Sequence, residues 1–234
     1  MTPQQLKASL LQEAIRGKLT DQRPEDGSAE ELYRAIIAEK KRLIKAGKLK
    51  KEKPLPPIEE KDIPFDIPEN WKWVRLGEIM SSGLGKTLNK ELDRGEIKPY
   101  LCSINIYWSG VNLEVVKKAK FSESEIEKYS LSKGDLLICE GGDVGRAAIW
   151  ERDEEMYYQN ALHRVRFYYG ISPYFYRFLL ELYKGNKMID KASKGQTIKH
   201  FVQNALLNLP VPLPPLPEQE RIVAKLEELL PLCD

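Results

Sequence analysis

The sequence predicts an α+β protein in which a mixed α/β domain is flanked by helices. Apolar residues recur at helical spacing in about the first fifty residues and again after residue 216. Between these segments, short β-prone pieces alternate with glycine-containing loops, and a proline-rich stretch stands at each junction. These patterns predict three ranges: 1–64 for helices and a proline-rich connector, 65–213 for the mixed domain, and 214–234 for a final helix.

The N-terminal segment predicts two helices joined by a turn. In the first, Gly17 offers a stop after a run of apolar residues at helical spacing, which are Leu6, Leu10, Leu11, Ala14 and Ile15. In the second, Ser28 and Glu31 form a capping box that opens an amphipathic run ending near Gly47. The following "KPLPPIEEKDIPFDIPENW" holds five prolines and predicts an extended connector.

A basic run spans the end of the second predicted helix and the residues after it. From Lys40 to Lys53, "KKRLIKAGKLKKEK" carries eight basic residues and one acid, Glu52. Such a run can neutralise phosphates and release counterions, or it can be a solvated, mobile linker. The sequence leaves both interpretations open.

The middle of the chain predicts strands, glycine loops and one helix. "KGDLLICEGGDVGRAAIW" indicates a strand, a loop and a strand, and "ALHRVRFYY" alternates so that Arg164 and Arg166 share one face. Ser172 and Pro173 open a helix that Gly185 ends. Its apolar stripe, which we assign to the core, consists of Phe175, Phe178, Leu179 and Leu182.

A final amphipathic helix is predicted to begin near Pro217, because Glu218 and Glu220 place negative charge at its N-terminus. Pro231 should interrupt it. Its apolar face consists of Ile222, Val223, Leu226, Leu229 and Leu230. That face either packs on the chain's own domain or forms an intersubunit or interdomain coiled coil.

Composition and motifs exclude several classes of function. The chain is 42% hydrophobic and 31% charged, with a net charge of +2 and no apolar run long enough to span a bilayer, so we expect a cytoplasmic protein. Three separated cysteines predict buried thiols, and two distant histidines provide no metal motif. The "GLGKT" stretch has Met80 where a phosphate-binding loop needs glycine. A nuclease site around Glu96 and Lys98 is a minor alternative.

Five stretches give the chain a resemblance to the specificity subunit of type I restriction-modification systems. They are "LKASLLQEAIRGKL", "AEELYRAIIAEKKRLIKAGKLKKEKPLPP", "IPENWKWVRLGEI", "LSKGDLLICEGGDVGRAAIW" and "NLPVPLPPLPEQERIVAKLEELL". Together they cover most of the chain, in the family's order. The resemblance implies a non-catalytic DNA reader with one target-recognition domain, residues 65–213, between helices that form a coiled-coil-like spacer and dimerisation region.

The resemblance also implies partners. These are double-stranded DNA, methyltransferase subunits and a restriction or translocase subunit; S-adenosylmethionine, ATP and Mg would be bound by those subunits. A homodimer through the terminal helices would restore a two-domain arrangement. The helix residues predicted to contact a partner are Leu6, Leu10, Ile15, Ile222, Val223, Leu226, Leu229 and Leu230. A second hypothesis is a protein-interaction module that no longer reads DNA.

The predicted DNA contacts are polar, basic or aromatic residues in five segments expected to be exposed loops, because guanine, adenine and phosphate are recognised by such groups. They are Lys86, Thr87, Asn105, Tyr107, Trp108, Ser109, Gly142, Asp143, Arg146, Gln159, Asn160, His163, Arg164, Lys194, Gln196, Thr197, Lys199 and His200. For each of them the competing interpretation is a solvated loop or turn.

Overall fold

The computed structural model describes residues 2–51, 53–193, 195 and 200–233. The chain divides into two compact units. The first comprises Met1–Ser81, Phe167–Leu182 and Leu206–Asp234, and the second comprises Ser82–Arg166 and Tyr183–Ala205. This division by geometry has other boundaries than the three ranges that the sequence predicts. Those ranges assign functional regions and remain a prediction.

Helices and strands confirm the α+β class. The helices are α1 (Pro3–Ile15), α2 (Ala29–Lys45), α3 (Leu76–Ile79), α4 (Glu123–Tyr129), α5 (Pro173–Gly185), α6 (Met188–Ala192), α7 (Gln203–Asn208) and α8 (Leu216–Leu229). The strands are β1 (Lys72–Arg75), β2 (Met80–Leu84), β3 (Glu96–Leu101), β4 (Ile106–Tyr107), β5 (Gly110–Val111), β6 (Lys117–Phe121), β7 (Leu136–Cys139), β8 (Ala147–Ile149), β9 (Tyr157–Tyr158), β10 (Leu162–Phe167) and β11 (Pro210–Leu213).

The caps of α1 and α2 explain where the two N-terminal helices begin and end. The predicted capping box is present, since the Ser28 hydroxyl accepts from the Glu31 backbone N–H at 3.3 Å while Glu31 bonds back to Ser28. After α1, Gly17 has φ +70°, and a Cβ there would lie 2.5 Å from Cγ of Pro68. The predicted stop at Gly17 is therefore a position that only glycine fits.

The apolar faces of α1 and α8 pack on each other within the first unit. Ile15, Ile222 and Leu226 are completely buried, although the sequence made them candidates for contact with a partner. The structure thus realises the alternative in which the face packs on the chain's own domain, because each helix supplies the other's apolar cover. A partner coiled coil remains a prediction for the rest of the predicted set: Leu6 is 39% exposed, Leu10, Leu229 and Leu230 are half-buried, and Val223 is buried.

The proline-rich connector is held by the side chain of Arg75. Its Nε donates to the carbonyl of Pro56 at 3.1 Å, and Nη2 donates to the carbonyl of Pro57 at 2.9 Å. Nη1 reaches the carbonyl of Asn208 at 2.9 Å, and the guanidinium also pairs with Asp62. Prolines have no N–H group, so a proline-rich segment supplies few backbone donors for its own carbonyls. The buried guanidinium of Arg75 supplies these donors instead.

A two-stranded sheet joins distant parts of the first unit. β1 pairs antiparallel with β11, with Lys72 opposite Leu213 and Arg75 opposite Pro210. Prolines in β11 lack an N–H, which suits a strand with one neighbour. Nearby, α5 buries its predicted stripe of Phe175, Phe178, Leu179 and Leu182, so these side chains are core as expected.

The second unit is built on β-sheets. One sheet has the strand order β2-β10-β7-β8, and another has the order β6-β3-β9. The predicted strand, loop and strand are confirmed, since β7 and β8 pair antiparallel with Leu136 opposite Ile149. The predicted alternation in β10 is present as well, with Val165 buried and Arg164 and Arg166 half-buried.

Cys102, Cys139 and Cys233 are free and buried, as predicted. Burial raises the pKa of the Cys139 thiol to about 11, which keeps it protonated. Within the described ranges, no helix combines the length and apolar character needed to cross a bilayer.

Candidate nucleic-acid interface

Three strand ends of the second unit bring two of the candidate loops to one end of a sheet. β7 ends before residues 140–146, β8 begins after them, and β10 begins after residues 159–161. Leu162 lies opposite Cys139 in the β7–β10 pair, so these two loops are neighbours. The backbone N–H of Glu140 donates to the carbonyl of Ala161 at 2.8 Å and joins them directly.

The loop at 140–146 depends on glycines that allow close approach. Gly145 has φ +82°, and a Cβ on it would lie 2.6 Å from Cγ2 of Ile189. Gly142 has φ +78°, and its Cβ would lie 3.7 Å from the Ser103 hydroxyl. A side chain at Gly145 would displace the loop, so the glycine-rich sequence keeps the loop against its neighbours.

Arg146 connects this loop to the segment that carries the exposed Tyr107. Its Nη2 donates to the carbonyl of Ser103 at 2.9 Å, and its Nη1 lies 3.5 Å from Oδ2 of Asp143. The guanidinium stands 4.9 Å from the ring centroid of Tyr107, which is 42% exposed. A cation over the ring face holds the Tyr107 ring in place, and the side chain stays partly exposed.

The glycine-rich segment after β2 meets the turn before β10. Gly85 lies so close to this turn that a Cβ would be 2.4 Å from the carbonyl carbon of Gln159. The backbone N–H of Asn160 donates to the carbonyl of Lys86 at 3.0 Å. Nδ2 of Asn160 donates to the hydroxyl of Thr87 at 3.3 Å. Exposed Thr87 and half-buried Gln159 and Asn160 thus form one polar group.

Lys86 does not lie on an exposed loop as the sequence predicted. Its side chain is buried, and Nζ lies 2.9 Å from Oδ1 of Asp93 and 2.6 Å from Oε2 of Glu125. Burial alone would lower the pKa of Lys86, but hydrogen bonds to Glu125 and Asp93 outweigh it and raise the pKa. The ammonium is therefore occupied by protein carboxylates, while its backbone supports the polar group around Asn160.

Asn105 is also buried rather than exposed. Its Oδ1 accepts from the backbone N–H of Cys102 at 3.0 Å. Its Nδ2 donates to the carbonyls of Asn112 at 3.0 Å and Val115 at 2.8 Å. The amide makes the hydrogen bonds that a buried loop would otherwise lack, so it supports the segment carrying Tyr107.

His163 is the third candidate that the structure places in the interior. Its Nε2 donates to the carbonyl of Phe201 at 2.8 Å and lies 3.6 Å from Oε2 of Glu140. Burial lowers the pKa of His163, so the neutral ring is favoured. The bond to Phe201 holds the chain next to His200, an exposed candidate near Gly141.

Arg164 is half-buried, and its guanidinium contacts the protein itself. Nη1 donates to the carbonyl of Ser130 at 2.7 Å and that of Lys128 at 3.2 Å, and the group stands 5.4 Å from the Tyr158 ring centroid. Burial lowers the pKa of Arg164. Its neighbour Arg166 binds Asp135 through two hydrogen bonds. Both arginines make contacts that stabilise the fold.

The remaining candidates divide into two groups. Ser109, Gly142 and Asp143 are exposed, and Trp108 is half-buried. Lys194, Gln196, Thr197 and Lys199 lie outside the residues that the structure describes. Contact between these candidates and DNA remains a prediction.

The alternative nuclease pair is an ion-paired surface group. Nζ of Lys98 lies 2.9 Å from Oε2 of Glu96 and 2.9 Å from Oε1 of Glu155, and these contacts raise the pKa of Lys98. The described residues contain no cluster of three metal-ligating side chains.

Residues 68–232 match a family model, that of the type I restriction modification DNA specificity domain. The chain belongs to this family. The resemblance found in the sequence is thereby confirmed.

Two curated relatives align with nearly all of this specificity-domain chain. The type I restriction enzyme EcoAI specificity subunit of Escherichia coli is 33% identical, over 98% of this chain and 40% of its own length. The EcoEI specificity subunit of Escherichia coli is 27% identical, with the same two coverages. The chain therefore spans about two fifths of the length of these relatives.

Two solved structures share the fold of the specificity-domain chain. The HsdS subunit from Thermoanaerobacter tengcongensis has a TM-score of 0.55 and 19% identity, over 88% of this chain and 44% of that chain. A chain from a structure described as the basis of complex assembly and conformational transition of the type I R-M system has a TM-score of 0.57 and 20% identity. It covers 88% of this chain and 48% of that chain. These similarities concern the fold.

Sequence reasoning missed the residues that hold the specificity-domain loops. Asp93 and Glu125 bind Lys86, and the Ser103 carbonyl binds Arg146. The one signal for Glu125 was its place three residues after Ser122 in "FSESE", which is a capping-box spacing. The carbonyl of Ser103 gives no signal in the sequence, because any residue supplies one.

Proposed function

We propose that this chain recognises DNA sequence for a type I restriction-modification system and does not itself catalyse a reaction. In this proposal it reads one half of a split DNA target, with the second unit facing the bases. The observation that carries the proposal is the convergence of side chains from five segments at one end of the β2-β10-β7-β8 sheet. These side chains are Thr87, Tyr107, Arg146, Gln159, Asn160 and His200.

The chemistry of these groups suits base edges. Gln159 and Asn160 carry amides that can pair with adenine, and the guanidinium of Arg146 can donate to guanine. The exposed part of the Tyr107 ring offers an apolar surface to a thymine methyl or a base. Gly142 permits close approach of the backbone, because it has no side chain to keep the loop from the groove.

Partners form the second part of the proposal. We propose that the chain docks methyltransferase subunits, and through them a restriction or translocase subunit, and that two recognition units together read the split target. The apolar side chains still exposed on the terminal helices, Leu6 with the half-buried Leu229 and Leu230, support this docking. S-adenosylmethionine, ATP and Mg belong to the partners in this proposal.

Co-purification with a type I methyltransferase subunit, followed by mapping of the methylated DNA sites, tests the proposal. We expect modification at one defined half-site whose sequence changes when the loop residues change. The variant Gln159→Ala should alter or relax one position of the mapped half-site, since it removes one amide from the loop cluster. The matched control Gln12→Ala lies on an exposed part of α1 and should leave the mapped site unchanged.

Two outcomes would overturn the proposal. Methylation without any sequence preference attributable to this chain would remove the recognition role. Magnesium-dependent cleavage of DNA by the purified chain alone would contradict the non-catalytic role and favour the pair Glu96 and Lys98.

A further inference from the structure

The basic run Lys40–Lys53 spans the end of α2 and the residues after it, and it is not part of the loop cluster of the second unit. It lies in the first unit, where α2 ends at Lys45 and the chain turns at Gly47, which has φ +70°. The backbone N–H groups of Lys48 and Leu49 both donate to the carbonyl of Leu43, at 2.9 and 3.3 Å. The turn after the helix is thus closed by backbone hydrogen bonds.

The residues after this turn pack back on the first unit. Leu49 and Leu55 are half-buried, and a Cβ on Gly77 would lie 2.9 Å from Cδ1 of Leu55. Leu49 and Leu55 line a cavity of about 230 Å³ together with Ile37 and Ile44 of α2. The structure therefore holds this segment against α2 and α3 at its apolar residues. Lys50 and Lys53 also line the cavity, and they are exposed, as are Lys48 and Lys51.

The lysines of this segment lack acidic partners in the described part of the chain. Lys41, Lys45, Lys48, Lys50, Lys51 and Lys53 are all exposed, and among described residues none of them forms an ion pair. The nearby acids have other donors: Glu39 binds Arg42, and Glu78 accepts from the hydroxyl of Tyr33 and the backbone N–H of Arg75. Six exposed ammonium groups that form no ion pair with any described residue concentrate positive charge on one short segment.

We propose that the six exposed lysines, Lys41, Lys45, Lys48, Lys50, Lys51 and Lys53, bind the phosphate backbone of duplex DNA outside the bases that the second unit reads. The inference rests on the proposed function, because DNA is the polyanion that a specificity domain approaches. Exposed ammonium groups neutralise phosphates as point charges and release counterions without reading sequence. The segment thus supplies affinity, and the loop cluster supplies discrimination.

The salt dependence of DNA binding tests the inference. The variant Lys48→Gln/Lys51→Gln removes two charges that pair with no described residue, and the control Lys61→Gln/Lys225→Gln removes two charges that are paired with Glu59 and Glu228. Each protein, in complex with its methyltransferase subunit, is titrated into a target duplex and a random duplex of equal length at several KCl concentrations. We expect the slope of log K against log salt to become shallower by about 0.9 per lost phosphate contact, hence by about 2 for the variant. Both duplexes should weaken by the same factor, and the control should keep the original slope.

An unchanged slope in the variant would overturn the inference. So would loss of affinity for the target duplex alone, since phosphate contacts do not distinguish sequences. Unchanged DNA binding with loss of the methyltransferase subunit would assign the lysines to an acidic protein surface and would also overturn it. Failure of the proposed function is distinguishable, because the unsubstituted chain would then bind both duplexes equally.

Discussion

The indole nitrogen of Trp71 donates a hydrogen bond of 2.7 Å to Oε2 of Glu218. Trp71 precedes β1, and Glu218 lies in the first turn of α8, so the bond joins residues 147 positions apart. Gln22 and Thr20 donate to the other oxygen of the same carboxylate. A single buried carboxylate therefore connects both ends of the region that matches the specificity domain to the segment between α1 and α2.

Replacing Glu218 with alanine should destabilise the first unit. The substitution leaves the Trp71 N–H and the Gln22 amide without their acceptor, and an unsatisfied buried group costs about 1 to 3 kcal/mol. Urea unfolding followed by tryptophan fluorescence measures the loss. The matched control is Glu220→Ala, since Glu220 is exposed on the same helix. Equal stability of the two variants would contradict a structural role for the buried carboxylate.

The pH dependence of stability should also report on Glu218. Burial raises the pKa of this carboxyl above 4.5, although hydrogen bonds from Trp71 and Gln22 oppose the shift. The folded chain then holds a proton that the unfolded chain releases, so this group favours folding below pH 4.5 and loses that contribution as pH rises through its raised pKa. We therefore expect the difference between the unfolding free energies of the unsubstituted chain and Glu218→Gln to decrease as pH rises from below 4.5 through the raised pKa. A difference that stays constant with pH would contradict the raised pKa.

Local signals in the sequence predicted helices better than they predicted the site. The capping box at Ser28 and the proline and glycine that bound α5 act within a few residues, so the pattern contains the cause. The pairing of β1 with β11 depends on residues about 140 positions apart, and no local signal encodes it.

The candidate site shows the same limit. Thr87 and Lys86 are adjacent in the sequence, yet one is exposed and the other is buried. The difference arises because Glu125, 39 positions away, takes the ammonium of Lys86. A loop with polar residues is visible in the sequence, but which of its side chains point outward depends on distant partners.

Replacing Lys86 with methionine should destabilise the second unit. The effect should be largest at pH values at which the partners of Lys86, Asp93 and Glu125, are ionised. Removing one member of a buried ion pair costs about 3 to 5 kcal/mol, and partial exposure of Glu125 reduces this value. Burial opposes ionisation of Asp93 and Glu125, but hydrogen bonds from Lys86 lower the pKa of both. Carboxyls with lowered pKa values stabilise the fold while they are ionised, and this stabilisation is lost as pH falls through those pKa values. The difference in unfolding free energy between the unsubstituted chain and the variant should therefore become smaller in acid. Urea unfolding at a series of pH values measures that gap; Lys90→Met, at an exposed position, is the control.

Arg164→Ala should reduce stability and leave the ranking of DNA sequences unchanged. The guanidinium donates to the carbonyls of Ser130 and Lys128, and the substitution removes this donor. We expect the free energy of unfolding to fall by about 1 to 3 kcal/mol. Thermal unfolding and competition among duplexes measure the two properties separately. Arg152→Ala is the control, because Arg152 is exposed and its ion-pair partner, Glu154, is exposed as well. Relaxed specificity at one base position, with full stability, would instead make Arg164 a base reader.

Arg146 and Tyr107 should act as one unit in DNA discrimination. Arg146→Lys keeps the charge but loses the planar group that stands over the Tyr107 ring and donates to the Ser103 carbonyl. We expect Arg146→Lys and Tyr107→Ala to reduce discrimination at the same base position, each by about 1 to 3 kcal/mol of specific binding. The double variant should lose little more than either single variant, because both disturb the same ring. Binding of target and single-mismatch duplexes by all four proteins, with circular dichroism as the check on folding, measures this coupling. Additive losses at two different positions would show that the two side chains read the DNA independently.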